Sequence, residues 1–302
     1  MKDLGETKFC LGLQIERNKD GILVHQAKYT ENLLKKFNMN DCHPLSTPMV
    51  VRSLDINKDP YRPREENEDV LGPEVPYLSA IGAILYLAQC TRPDISFSVN
   101  LLARYSSAPT RRHWNGVKHI FRYLKGTIDL GLYYSCERAN LVGYADSGYQ
   151  SDPHKGRSQT GYIFLNSNAA ISWKSTKQTL VATSSNHSEI LALHEASREC
   201  VSLRSLIQHV RESCELPKVT NEATVLYEDN AACIAQIQSG FIKGDRIKHI
   251  SPKFFTHELQ KEKMIIVKQV RSSENLADLF TKALPKSSFQ KLVHQIGMRR
   301  LH

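Results

Sequence analysis

The stretch Gly143–Glu189 reads GYADSGYQSDPHKGRSQTGYIFLNSNAAISWKSTKQTLVATSSNHSE, and its pattern decides the fold. A short apolar run, Leu141–Ala145, predicts a strand that ends on Asp146. Two further runs, Thr160–Asn166 and Ala169–Lys174, are rich in apolar and β-branched residues and predict two more strands. A Ser-rich segment then opens a helix over Ser185–Arg211, with Glu189 in its first turn. Ile190, Leu193, Cys200, Leu203, Ile207 and Val210 form one stripe along it. An acid that closes a strand and an acid on the next long helix can face each other across a sheet.

Downstream the pattern alternates. A strand is predicted over Thr224–Asp229, closing on Asp229, and helices over Ala231–Gln238 and Ser251–Lys261. A strand over Met264–Val270 and helices over Asn275–Leu284 and Phe289–Ile296 complete the chain, with Asp278 in NLADLFTK. Three antiparallel strands, a helix, and then alternating strand and helix predict an α/β fold with a mixed five-stranded sheet flanked by helices.

Upstream the reading is different. Lys8–Ile15 and Ile22–Gln26, joined by the turn Asn18-Lys19-Asp20-Gly21, predict a β-hairpin. Tyr29–Met39 predicts a helix. Pro44–Pro76 is rich in proline and charge and predicts a linker or an extended crossing segment. Helices follow over Leu78–Gln89, Asp94–Tyr105 and Thr110–Lys125, then a short strand over Leu130–Tyr134. The last of these helices has Trp114, Val117, Ile120, Phe121 and Leu124 on one face. Arg111, Lys118, Arg122 and Lys125 lie on the other, a face that is either solvated or laid on a phosphate backbone.

The 302 residues allow two domains or one large one, and the net charge of +9 favours a polyanion partner, most often nucleic acid. Cys10, Cys42, Cys90, Cys136, Cys200, Cys214 and Cys233 include no CxxC pair, which predicts free thiols in a reducing compartment. No apolar run approaches transmembrane length and no signal peptide opens the chain, so a membrane partner is not expected. The opening MKDLGETKF lies close to a strand and reads as a start within a larger protein.

The chemistry rests on Asp146, Glu189, Asp229 and Asp278. Taken singly, acids at strand ends and in first helix turns are common and favour the helix dipole. Taken together, in this order of elements, they equally fit an acid cluster. Gathered carboxylates repel unless they hold cations, and carboxylates suit Mg²⁺. Two such ions would clamp the attacking and leaving oxygens of a phosphoryl displacement.

Longer motifs narrow this. GYADSGY, SQTGYIFLNSNAAISWKS, TSSNHSEI, YEDNAACIA, IKHISPKFF and NLADLFTK closely resemble the ribonuclease H domain of copia-type retrotransposon polyproteins. MKDLGETKFCLGLQIER, STPM, TRPDISFSVNLLARY, HW and YLKGT resemble the end of the same polyprotein's reverse transcriptase. The resemblance implies a ribonuclease H-like sheet over 136–302. It implies the palm tail and mostly helical thumb- or connection-like region of a reverse transcriptase over 1–135, with the linker at 44–76. It implies that Asp146, Glu189, Asp229 and Asp278 bind Mg²⁺ or Mn²⁺, two ions in all, and cleave the RNA strand of RNA–DNA hybrids. The expected partners are hybrid, template–primer and the rest of the Pol polyprotein. The expected location is intracellular and cytoplasmic, in virus-like particles, with nuclear access.

Ser147, Ser185 and Asn230 flank the acids and read as backbone contacts or as turn and cap residues, and His257 as a candidate for proton transfer. The family often carries an acid two residues after the first aspartate, where this chain has Gly148. It often carries another two residues before the helix glutamate, where this chain has His187. The polymerase's Tyr-x-Asp-Asp turn does not occur, so nucleotide addition is not expected. Two other functions share parts of this pattern. A non-catalytic nucleic-acid-binding remnant would keep the fold without activity. A DNA strand-transferase would place its glutamate after both aspartates and carry a zinc-binding His-His-Cys-Cys segment, which is missing here.

Overall fold

The structure is a computed structural model that describes residues 5–137, 140–217, 222–239 and 251–301, the side chains of 251–254 excepted. From the N-terminal side, strands β1 (Phe9–Cys10), β2 (Leu13–Asn18) and β3 (Gly21–His25) lead into helix α1 (Ala27–Lys36). Helices α2 (Tyr77–Cys90), α3 (Ser96–Ala103) and α4 (Arg111–Lys125) precede strand β4 (Leu130–Ser135). Strands β5 (Val142–Asp152), β6 (Arg157–Asn166) and β7 (Ala169–Lys177) are followed by the long helix α5 (Ser185–Ser213). Strand β8 (Thr224–Glu228), helices α6 (Ala231–Ser239) and α7 (Ser251–Lys261), strand β9 (Ile265–Gln269), helix α8 (Lys286–Gln295) and strand β10 (Met298–Arg300) complete the chain. Of the motif IKHISPKFF, residues 247–250 lie outside the described residues.

The expected mixed five-stranded sheet is present, in the order β7-β6-β5-β8-β9. Its first three strands are antiparallel, and β8 and β9 join parallel to β5. Both faces of β6 are buried. Tyr162 and Phe164 join one core with Ala145, Leu226 and Val267 of the sheet and Ile190, Leu193 and Ala196 of α5. Ile163 and Leu165, on the opposite face by the period of two, join a second core with the helices of the first half.

That second core ties the two halves together. It contains Leu33 and Leu34 of α1, Ile84 and Leu87 of α2, Ile120 and Phe121 of α4, Phe280, Leu292 of α8 and Met298 of β10. Trp173 on β7 donates its indole N–H to the Ala88 carbonyl at 2.7 Å, and Tyr134 on β4 donates to the Ala170 carbonyl at 2.8 Å.

The N-terminal hairpin is larger than its sequence indicates. β2 and β3 belong to a five-stranded antiparallel sheet, β1-β2-β3-β4-β10, whose last strand comes from the C-terminal end of the chain. Three residues, Met298-Arg299-Arg300, are too few to show a period, so β10 has no local signature.

The segment 44–76 forms no helix or strand and acts as a strap rather than a solvated linker. Met49, Asp59 and Tyr61 are buried. Arg52 grips Asp59 in a fork, Nε–Oδ1 2.8 Å and Nη2–Oδ2 2.6 Å, and donates to the Ser151 carbonyl at 2.8 Å. Burial alone would raise the Asp59 carboxyl, but Arg52, the Tyr61 N–H and His154 together hold it below its ordinary value.

Three local expectations change. β5 does not stop at Asp146 but runs on to Asp152, because β6 continues to pair with it past Asp146↔Gly161. Glu189 lies in the second turn of α5, since Ser184 is the cap and accepts from the His187 N–H. The helix expected over Asn275–Leu284 is a 3₁₀ turn at Leu276–Phe280, capped by the Asn275 side chain. The same side chain donates to the Ala145 carbonyl at 2.8 Å, fixing the turn against β5. None of the seven cysteines forms a disulfide. No helix among the described residues is long and apolar enough to cross a membrane.

Two positions test the packing. Arg92, 1% exposed, is paired with Asp94 at 2.7 Å and donates to both the carbonyl and the hydroxyl of Thr127. Arg92→Met strands a buried carboxylate and is expected to lose about 3–5 kcal/mol in denaturant unfolding, most of it recovered when Asp94→Leu is added. No loss in the single variant would mean that water reaches Asp94. A Cβ at Gly161 would lie 2.6 Å from Thr281 Cγ2 and 2.8 Å from Phe280 Cβ. Gly161→Ala therefore pushes on the 3₁₀ turn and is expected to lose about 1–3 kcal/mol. Unaltered stability would mean that the turn gives way freely.

Candidate functional site

The parallel pairing of β5 with β8 ends at Tyr144↔Tyr227. Two residues further along each chain come Asp146 and Asp229, so the register itself brings these acids side by side where the parallel pairing ends, Asp229 just past β8 and Asp146 within β5. Open α/β sheets bind ligands beyond the carboxyl ends of parallel strands. Helix α5 packs across β5 and supplies Glu189. One carboxylate oxygen each from Asp146, Glu189 and Asp229 lie within 4.8 Å of one another. Asp278 is outside that group of three. It stands beside it, joined to Asp146 through Lys282, whose Nζ is 2.6 Å from Asp278 Oδ1 and 3.3 Å from Asp146 Oδ1.

Asp146 is 1% exposed and Glu189 7%. Thr281 donates its hydroxyl to Asp146 Oδ2, and Ser272 donates to Asp229 Oδ2. Glu189 Oε2 is buried without a hydrogen-bond partner. Burial, then the charges of Asp146 and Asp229, pushes the Glu189 carboxyl up to about 9. Burial and Asp146 push Asp278 up to about 7, and burial raises Asp146 against the pull of Lys282. An orphaned buried carboxylate oxygen beside two more acids is a donor set that a hard divalent cation would complete, so these residues fit a Mg²⁺ or Mn²⁺ ion.

Three contributors had no place in the sequence reading. Glu228, fully buried on the strand before Asp229, accepts from the Asn230 N–H at 3.2 Å and leaves Oε2 unpartnered. It faces the α5 side with Leu226, as alternation along β8 requires, and its carboxyl is raised well above the ordinary range by burial and then by Glu189 and Asp146. Thr281 and Lys282 are the other two. The signal for Lys282 was its spacing of four from Asp278, which is ordinary surface spacing on a helix.

The remaining expected residues are distributed as follows. Ser147 is buried, its hydroxyl 2.6 Å from that of Ser188. Ser185 is exposed at the start of α5, and Asn230 accepts from the Cys233 N–H at 3.0 Å as the cap of α6. His257 holds the Ile237 carbonyl through Nδ1 at 2.8 Å, joining α7 to α6. On α4, Arg111 is exposed, and Lys118 and Lys125 are half-buried. Arg122 donates to the His43 carbonyl at 2.8 Å, so part of the basic face lies under the strap.

The two departures from the family pattern also have places. A Cβ at Gly148 would meet the Thr281 carbonyl oxygen at 2.9 Å, so glycine lets the Thr281–Lys282 segment approach β5. His187 closes the cap of α5, its Nδ1 3.3 Å from the Thr183 nitrogen.

No protein-family model matches the chain. The retrovirus-related Pol polyprotein from transposon TNT 1-94 of Nicotiana tabacum is 33% identical over 301 residues, 99% of this chain and 22% of that protein. The corresponding polyprotein from transposon RE2 of Arabidopsis thaliana is 30% identical over 302 residues, 99% of this chain and 20% of that protein. The chain thus spans about a fifth of the length of these relatives. Among solved structures, LC11 ribonuclease H1 in complex with an RNA/DNA hybrid aligns at 16% identity and a TM-score of 0.35, over 47% of this chain and 94% of that one. Matched along nearly its whole length by such polyproteins, this chain belongs to the copia-type Pol polyprotein family, as a fragment.

Proposed function

We propose that the chain is a metal-dependent endonuclease that cleaves the RNA strand of RNA–DNA hybrids at Asp146, Glu189, Asp229 and Asp278. The observation that carries this is the convergence of Asp146, Glu189 and Asp229 within 4.8 Å, with a buried Glu189 oxygen left without a partner. Asp146, Glu189 and Asp229 would hold Mg²⁺ or Mn²⁺. When bound, such an ion neutralises phosphate oxygens and makes a water a better nucleophile. In the reaction a water oxygen bonds to phosphorus and gives up a proton, the P–O3′ bond breaks, and the departing 3′ oxygen takes up a proton. The products are a 3′-hydroxyl and a 5′-phosphate.

The chain's own part is positioning. Thr281 and Lys282 fix the Asp146 carboxylate, Ser272 fixes that of Asp229, and the rigid sheet sets their separation. The net charge of +9 favours the hybrid's polyanionic backbone, with 2′-hydroxyls distinguishing RNA from DNA. Ser185 and Arg111 are the exposed members of the expected contact set. Residues 1–135 would grip template and primer as the tail of a reverse transcriptase. With no Tyr-x-Asp-Asp turn in the sequence, they would add no nucleotides.

Cleavage of a labelled RNA–DNA hybrid by the purified chain tests this. Asp229→Asn and Glu189→Gln are each expected to slow cleavage by about a hundredfold or more without loss of fold. Asp129→Asn, at an exposed pair with Arg300, is expected to leave the rate unchanged. Cleavage by Asp229→Asn at the parent rate would overturn the assignment.

Stability supplies a second test. A carboxyl whose value is raised on folding holds its proton more tightly in the folded state than in the unfolded one. Folded stability then falls as pH climbs from the ordinary carboxylate range through about 7 and about 9, the values for Asp278 and Glu189. A cation bound only by the folded chain offsets this, by about 2.7 kcal/mol at a hundredfold excess over Kd. Mg²⁺ is therefore expected to raise the Tm more at pH 8.5 than at pH 5.5, and chelation to reverse the gain. An equal rise at both pH values would place the ion elsewhere.

A further inference from the structure

The four acids do not stand alike. Asp146, Glu189 and Asp229 face one another within 4.8 Å. Asp278 and Asp146 instead share an ammonium group, Lys282 Nζ, at 2.6 Å and 3.3 Å. Asp278 and Lys282 sit four residues apart, across the 3₁₀ turn, and that turn is clamped to β5 by Asn275 and Thr281. The turn thus sets where the Lys282 backbone lies, and the two carboxylates hold its ammonium. Glu189 Oε2, nine-tenths buried and unpartnered, points to a ligand among Asp146, Glu189 and Asp229.

We propose that Lys282 is a resident cation of this site: its ammonium takes the position between Asp146 and Asp278, so that the nucleic-acid-free chain binds one divalent ion, held by Asp146, Glu189 and Asp229. This rests on the metal-dependent reading above and adds to it a count and a residue. The physical basis is competition. One positive charge close to both carboxylates repels a second divalent ion and satisfies the oxygens that would bind it. Lys282 is on this account a positioning residue, acting through Asp146 and Asp278.

The test is binding stoichiometry, with Mn²⁺ as the probe and no nucleic acid present. Isothermal titration, with free Mn²⁺ followed in parallel by its paramagnetic resonance signal, should give one ion bound to the parent chain. Lys282→Met should bind a second ion, or bind its ion about tenfold more tightly as the competing charge is lost. Lys282→Arg keeps the charge and should return the count to one. Two ions on the parent chain would overturn the proposal, and that outcome needs no variant to fold. So would a Lys282→Met chain, folded by circular dichroism, with parent count and affinity. No Mn²⁺ bound by the parent chain, or binding undiminished in Asp229→Asn, would instead overturn the metal site itself.

Discussion

Asp146 is buried in the middle of a sheet, and much of the structure around it follows from that. A carboxylate 1% exposed needs compensation, and it gets part of it from the Thr281 hydroxyl and the Lys282 ammonium. Both lie on the segment that follows the 3₁₀ turn. Asn275 pins that turn to the Ala145 carbonyl, and Gly148 and Gly161 leave room for its approach. The segment then continues through α8 into β10, which closes the sheet of the other half. The acid at the centre of one sheet is therefore held in place by a chain that ends in the other.

This connection gives the first half a structural part in the site. Phe280, next to Thr281, belongs to the same core as Leu33, Ile84, Phe121 and Met298. The strap is fastened in the same way, with Arg52 reaching the Ser151 carbonyl near the end of β5. Loosening the helices of the first half would be felt at Asp146 through packed side chains, with no contact between those helices and the acid required.

The sheet was legible because its determinants are local. GYIFLN in β6 has the apolar density of a strand covered on both faces, and the stripe from Ile190 to Val210 marks α5. The order of acids along the chain then carried the site, because strand register converts that order into proximity. What escaped depends on distant partners. β5 runs past Asp146 only because β6 continues beside it. β10 is a strand only because β4 offers an edge. Asn275–Leu284 looks helical, yet Asn275 is drawn to β5 and the turn tightens. Lys282 has only its ordinary spacing of four from Asp278 to mark it, and its contact with Asp146, at 3.3 Å, comes from the fold. Glu228 sat in plain view in YEDN, but whether it or Asp229 faces the cluster depends on where β8 ends.

The central claim is that Asp146, Glu189 and Asp229 form one cation-binding centre. It is tested most directly by carboxyl carbon NMR on a chain labelled in its Asp and Glu side chains, titrated with Mg²⁺. The account predicts that the resonances of these three residues move together in one saturable step, while exposed acids such as Asp129 and Glu258 stay fixed. Movement of the three along different binding curves, or a saturable response confined to other carboxyls, would contradict it.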